Sequence, residues 1–159
     1  MDLESIAEEL YGLPPSEFTA ARDRHVAAAR KAKDPALAKQ LAALRRPTLA
    51  AWASNLLVRS QPAQVDTLLR LGEGLRDAQA ALAGDQLREL SRRRGALVGE
   101  LARAARRLAA EAGNPVGEAV QQEVESTLHA VLADPGVAEE WAAGRLVKTL
   151  VADAGFMAG

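Results

Sequence analysis

The chain has 159 residues, 48% of them hydrophobic and 26% charged, and its 20 Lys+Arg against 21 Asp+Glu leave a net charge of −1. That balance excludes a disordered polyelectrolyte and an all-apolar membrane protein, and at this length a single domain is expected. The absence of cysteine excludes disulfides, thiolate metal sites and a cysteine nucleophile together.

An aromatic fraction of 3% leaves a core of Ala, Leu and Val, which favours closely packed helices over sheets. No strand-like alternation beyond a few residues appears, so the expected fold is all-α: a single-domain bundle spanning residues 1–159. The opening Met1-Asp2-Leu3-Glu4-Ser5 is acidic, whereas a secretory signal starts basic and turns apolar, so a cytoplasmic location is expected. The longest apolar stretch without charge, Pro47 to Val58, is shorter than the roughly 18 residues a membrane span needs, and no membrane partner is expected.

Proline is tolerated in the first helical turn and breaks a helix interior, so the seven prolines read as start marks. In chain order, a short acidic opening helix is followed by starts at Pro14-Pro15, Asp34-Pro35, Arg46-Pro47 and Gln61-Pro62. Gly84-Asp85, Asn114-Pro115 and Asp134-Pro135 mark three more, which predicts about seven or eight helices. In Asp34-Pro35, Asn114-Pro115 and Asp134-Pro135 a capping side chain precedes the proline. After Pro47, the residues Leu49, Trp52, Ala53, Leu56 and Leu57 follow the helical repeat, so one face is expected to be core. In the next helix Val65, Leu68, Leu69, Gly72, Leu75 and Leu82 form a stripe, with Gly72 and Gly74 permitting a close approach or a bend. A long central helix is predicted near 86–112, with Leu90, Leu97, Leu101 and Leu108 on one face and a weak centre at Gly95 and Gly99. The tail from Val137 onward is apolar again, through Trp141, Leu146, Val147, Leu150, Val151 and Phe156, and is expected to dock on the bundle.

The near-zero net charge hides a strong segregation. Residues 1–17 hold five acids and no base, 18–59 nine bases and two acids, 88–110 seven bases and two acids, and 111–159 eight acids and two bases. At 100° per residue, Arg88, Arg92, Arg103 and Arg106 share a narrow arc of the long helix, with Arg107 at its edge. Such a stripe suits phosphate oxygens, but a charged exposed face is what an amphipathic helix normally shows, which favours a solvated face or a seam against the acidic tail of the same chain or a second copy. Residues 34–58 read as helix, turn, helix, in which Arg45, Arg46, Thr48 and Asn55 would stand at a nucleic-acid groove. The turn lacks the customary glycine, and the helix after it is poor in base-reading side chains, which favours an ordinary helical hairpin.

Groups for chemistry are few. His25 shares a face with Phe18, Ala21, Ala28 and Ala32 and reads as a core or boundary residue. His129 falls on a polar side one turn after Glu125, near Gln122 and Glu118, in a spacing that matches no known zinc or di-iron signature. Gly72-Glu73-Gly74 follows no strand and lacks the remaining residues of a phosphate loop. Ser16, Ser54, Ser60, Ser91 and Ser126 have no histidine near them in sequence. No enzyme activity, metal or cofactor is expected.

The ordered segments Leu13-Pro14-Pro15-Ser16-Glu17-Phe18, Leu44-Arg45-Arg46-Pro47-Thr48-Leu49-Ala50-Ala51-Trp52-Ala53-Ser54-Asn55-Leu56-Leu57, Leu87-Arg88-Glu89-Leu90-Ser91, Glu123-Val124-Glu125-Ser126-Thr127-Leu128, Ala143-Gly144-Arg145-Leu146 and Ala154-Gly155-Phe156 form a pattern. In this the chain resembles, over nearly its whole length, a family of all-helical proteins from high-GC bacteria. The resemblance implies the helical fold and brings no activity, cofactor or partner. The structural roles expected for these marks are a helix start at Pro47, a core anchor at Trp52 and an ion pair at Arg145. The expected function is a non-catalytic interaction or regulatory protein that binds a protein partner or itself through charged helix faces. The alternative is a nucleic-acid-associated protein that uses the 34–58 hairpin and the 88–107 arginines.

Overall fold

The computed structural model describes residues 2–151, which form eight α-helices and, among the described residues, no strand. They are α1 (Leu3–Leu10), α2 (Pro15–Lys31), α3 (Pro35–Ala42), α4 (Leu49–Ser60), α5 (Pro62–Ala80), α6 (Gly84–Glu111), α7 (Glu118–Ala133) and α8 (Pro135–Ala142). The described residues are therefore all-α, with a 28-residue long helix, as the periodicity and proline spacing predict. Asp2, Asp34, Thr48 and Asp134 cap α1, α3, α4 and α8, each side chain accepting from a backbone N–H of the first turn and satisfying a donor that has no partner inside the helix.

Two apolar clusters organise these helices. One joins α1, α2 and α3 through Ile6, Leu10, Tyr11, Phe18, Val26 and Leu41. The other joins α4 to α8 around Trp52, Leu57, Leu68, Leu101, Leu128 and Trp141. α4 lies against α5, α6, α7 and α8 at once. Seven of its twelve residues are buried.

The segment after α8 ties the clusters together. Thr48 N–H donates to the Val147 carbonyl at 2.9 Å, Leu150 N–H donates to Thr127 Oγ1 at 3.1 Å, and Val147 packs against the α1–α3 cluster. This strap, residues 143–150, is the docking expected of the apolar tail, except that Val151 is 65% exposed; Phe156 and the residues after Val151 lie outside the described part.

Four local expectations are corrected. α7 starts at Glu118 rather than at Asn114-Pro115. Here Gly113 turns left-handed, with φ +85°, and the Asn114 side chain donates back to the Ala112 carbonyl instead of capping forward. Pro47 is buried ahead of the capping Thr48, so α4 starts two residues later than the proline. Between α5 and α6 the left-handed residue is Leu82, with φ 54° and 89% exposed, so Leu82 leaves the predicted stripe and Gly84 becomes the first residue of α6. On α6 only Leu101 of the four predicted leucines is buried. The inner face is Val98, Leu101, Ala102, Ala104, Ala105 and Ala109, because alanines let the backbone come close to α4 and α7.

Gly72 supplies the close approach foreseen for α5. A Cβ at that position would stand 3.3 Å from the Leu132 carbonyl oxygen of α7 and 3.1 Å from Arg76 Nη1, tighter than a side chain tolerates without displacement.

Candidate functional site

The predicted contact residues separate into an inward set and an outward set. Asn55 belongs to the first: it is 1% exposed, its Nδ2 donates to the Leu146 carbonyl at 3.0 Å, and its Oδ1 accepts from Leu146 N–H at 2.8 Å. This side-chain amide satisfies both polar groups of a strap residue, so its expected place at an exposed groove is corrected. Thr48 Oγ1 accepts from Ala51 N–H at 3.1 Å and is engaged as the α4 cap. The burial of α4 also corrects the helix-turn-helix reading, since a recognition helix must expose the face that enters a groove. What that segment does build is a clamp on the strap. Beside Asn55, Ser54 Oγ accepts from Trp141 Nε1 at 2.8 Å, and Arg59 Nε donates to the Gly144 carbonyl at 3.2 Å.

Charged groups fasten α1 to the same place. Arg145 pairs with Glu4 at 2.9 Å and Glu8 at 3.0 Å, and its hydrogen bond to Glu4, more than any other cause, raises its pKa. Arg59 pairs with Glu8 at 3.0 Å, and His25 Nε2 lies 2.7 Å from Glu9 Oε2. Tyr11 hydroxyl donates to the Arg45 carbonyl at 2.9 Å, and burial pushes the hydroxyl up from its ordinary pKa. The acidic opening segment is thus spent on cohesion.

The outward set consists of Arg45, Arg46, Arg88, Arg92, Arg103, Arg106 and Arg107, all exposed. Arg45 and Arg46 lie in the link between α3 and α4, with Arg45 beside Arg145 and Lys148. On α6, Arg88 pairs with Asp85 and Arg92 with Glu89, while Arg107 stands 3.9 Å from Glu111. These pairs run along the surface of one helix, where each contributes about 0.3–0.5 kcal/mol. Arg106 reaches α7 but meets a neutral partner, Gln121 Oε1, at 3.2 Å. Arg103 has no ion pair among the described residues. The stripe is therefore not a seam against the acidic helices of its own chain.

Those acidic helices are exposed in turn. Glu118 and Glu123 on α7 and Glu139 and Glu140 on α8 are solvent-facing and form no ion pair among the described residues. The basic helices α2 and α6 belong to different apolar clusters.

One constellation is illegible in the sequence. His129 lies beside Arg76 of α5 and Arg94 of α6, at a groove that also includes Ser91 and Gln79, and not within a carboxylate cluster. Arg76 stands one turn after Gly72, and that pairing of a bare position with a long cation was the only local sign of it. Among the described residues no group of three or more His, Cys, Asp or Glu side chains is gathered to hold a metal, and no helix is long and apolar enough to cross a membrane. Comparison with family models, with curated proteins and with solved structures finds no match.

Proposed function

We propose that this chain is a non-catalytic helical interaction protein whose basic α6 face docks on an acidic protein surface, and that the surface it fits is α7–α8 of a second copy. The supporting observation is that the two faces do not neutralise each other within one chain: Arg103 is unpaired among the described residues, Arg106 meets only Gln121, and the carboxylates of α7 and α8 stay exposed. Complementary faces at different places on one molecule make a head-to-tail contact, which closes into a ring or continues as a filament. Each exposed pair contributes only about 0–1 kcal/mol, so association rests on several pairs and weakens as salt shortens the screening length. The alternative nucleic-acid role retains the exposed Arg45 and Arg46 and the α6 arginines, but loses Asn55 and a recognition helix, because α4 is buried.

Sedimentation at low and near-physiological salt tests this reading. The wild type is expected to associate at low salt and dissociate as salt rises. Arg92→Glu/Arg103→Glu and Glu118→Lys/Glu123→Lys should each be monomeric alone and associate when mixed, since each variant then supplies the face that the other lacks. A wild type that stays monomeric at low salt overturns the proposal. Salt-sensitive binding of random duplex DNA by that monomer would put the nucleic-acid reading in its place.

A further inference from the structure

We infer that the groove where α5, α6 and α7 meet is a binding site for a small phosphorylated ligand with an apolar body. Its polar wall comes from three helices: Arg76 and Gln79 from α5, Ser91 and Arg94 from α6, and His129 from α7, around a space of about 420 Å³. No carboxylate lines this space among the described residues, and neither arginine belongs to an ion pair there. Arg76 also borders a neighbouring groove that contains Glu73 and Glu139, but on the side facing Arg94 the lining is cationic and neutral only, which favours an anion there.

Arg76 is already held in place. Its Nη1 donates to the Leu132 carbonyl at 2.9 Å, over the space that Gly72 leaves open. That bond occupies one of five guanidinium N–H donors; the others keep the planar fork that matches phosphate oxygens. Because the side chain is fixed beforehand, a ligand does not have to order it, which favours affinity. The Ser91 hydroxyl and the His129 imidazole add donors of the kind that complete a phosphate shell. Leu75, Leu87 and Leu132 line the rest of the groove, and apolar lining with a few convergent polar groups is the usual make-up of a small-molecule site. A mere C-terminal cap on α7 accounts for Arg76 but not for Arg94 and His129 beside it.

The test uses the full chain, with phenyl phosphate and inorganic phosphate as probes, followed by two-dimensional NMR of the backbone amides and imidazoles. Saturable shifts are expected at His129, Ser91 and Arg94, with phenyl phosphate binding more tightly than inorganic phosphate. Arg94→Gln, at an exposed position, should leave the unfolding temperature unchanged and weaken phenyl phosphate by about tenfold, the loss of one charge-assisted hydrogen bond. Arg103→Gln should leave binding unaltered. The absence of a saturable shift overturns the site, as does retention of wild-type affinity in Arg94→Gln. Shifts spread evenly over Arg92, Arg103 and Arg106 overturn it too, since they signal diffuse attraction to the basic helix.

Discussion

Helices α4 and α6 are built from much the same small and branched apolar residues, yet they occupy opposite situations. α4 buries seven of its twelve residues, among them Ser54 and Asn55, and carries a single charge, Arg59. α6 buries six of its 28 residues, none before Val98, and carries seven arginines. Buried polar groups usually find partners: Ser54 and Asn55 find theirs in Trp141 and in the backbone of Leu146, whereas Trp52 Nε1 on the same helix has none among the described residues. The contrast shows that the most detailed sequence segment here serves cohesion, and that exposed charge is concentrated on a plainer helix, the one to which the proposal assigns recognition.

The largest test of that contrast is Trp141→Ala. The side chain is fully buried and its indole N–H holds the Ser54 hydroxyl, so a cost of about 3–5 kcal/mol is expected by denaturant unfolding. A cost near zero would mean that the α4–α8 contact is not a packed core. Next comes Asn55→Ala, which leaves the Leu146 N–H and carbonyl without partners and should cost about 2–3 kcal/mol. Hydrogen exchange of the Leu146 amide should accelerate in the same variant, marking release of the strap. The smallest effect is expected on α6: Arg103→Glu should change stability by no more than about 0.5 kcal/mol while reducing low-salt association. A large loss of stability there would show that the arginine face is structural after all.

The helical class, the long helix and the segregation of charge could all be read along the chain, because each rests on local spacing: proline at helix starts, apolar residues at helical intervals, carboxylates and guanidiniums in blocks. Two boundaries failed beside a left-handed residue, Leu82 and Gly113, where the local sequence carried competing start signals at Gly84 and Asn114-Pro115, and a third failed because Pro47 stands ahead of the capping Thr48 and not inside α4. The Arg-Arg-Pro-Thr-Leu-Ala-Ala-Trp segment, which carries more detail than a hairpin needs, uses that detail in cohesion: Thr48 caps α4 and Trp52 is buried in the core.

What the sequence by itself determined is therefore the kind of element and where charge accumulates, both consequences of neighbours within a turn or two. Only the tertiary structure decided that α4 is enclosed on most sides, and that Asn55 faces a backbone 91 residues away. It also decided that Arg76, Arg94 and His129 share one groove. These juxtapositions depend on how helices rotate and cross, which is set by the packing of alanine faces and by close approach at Gly72, and no periodicity within a single helix encodes its neighbour's angle.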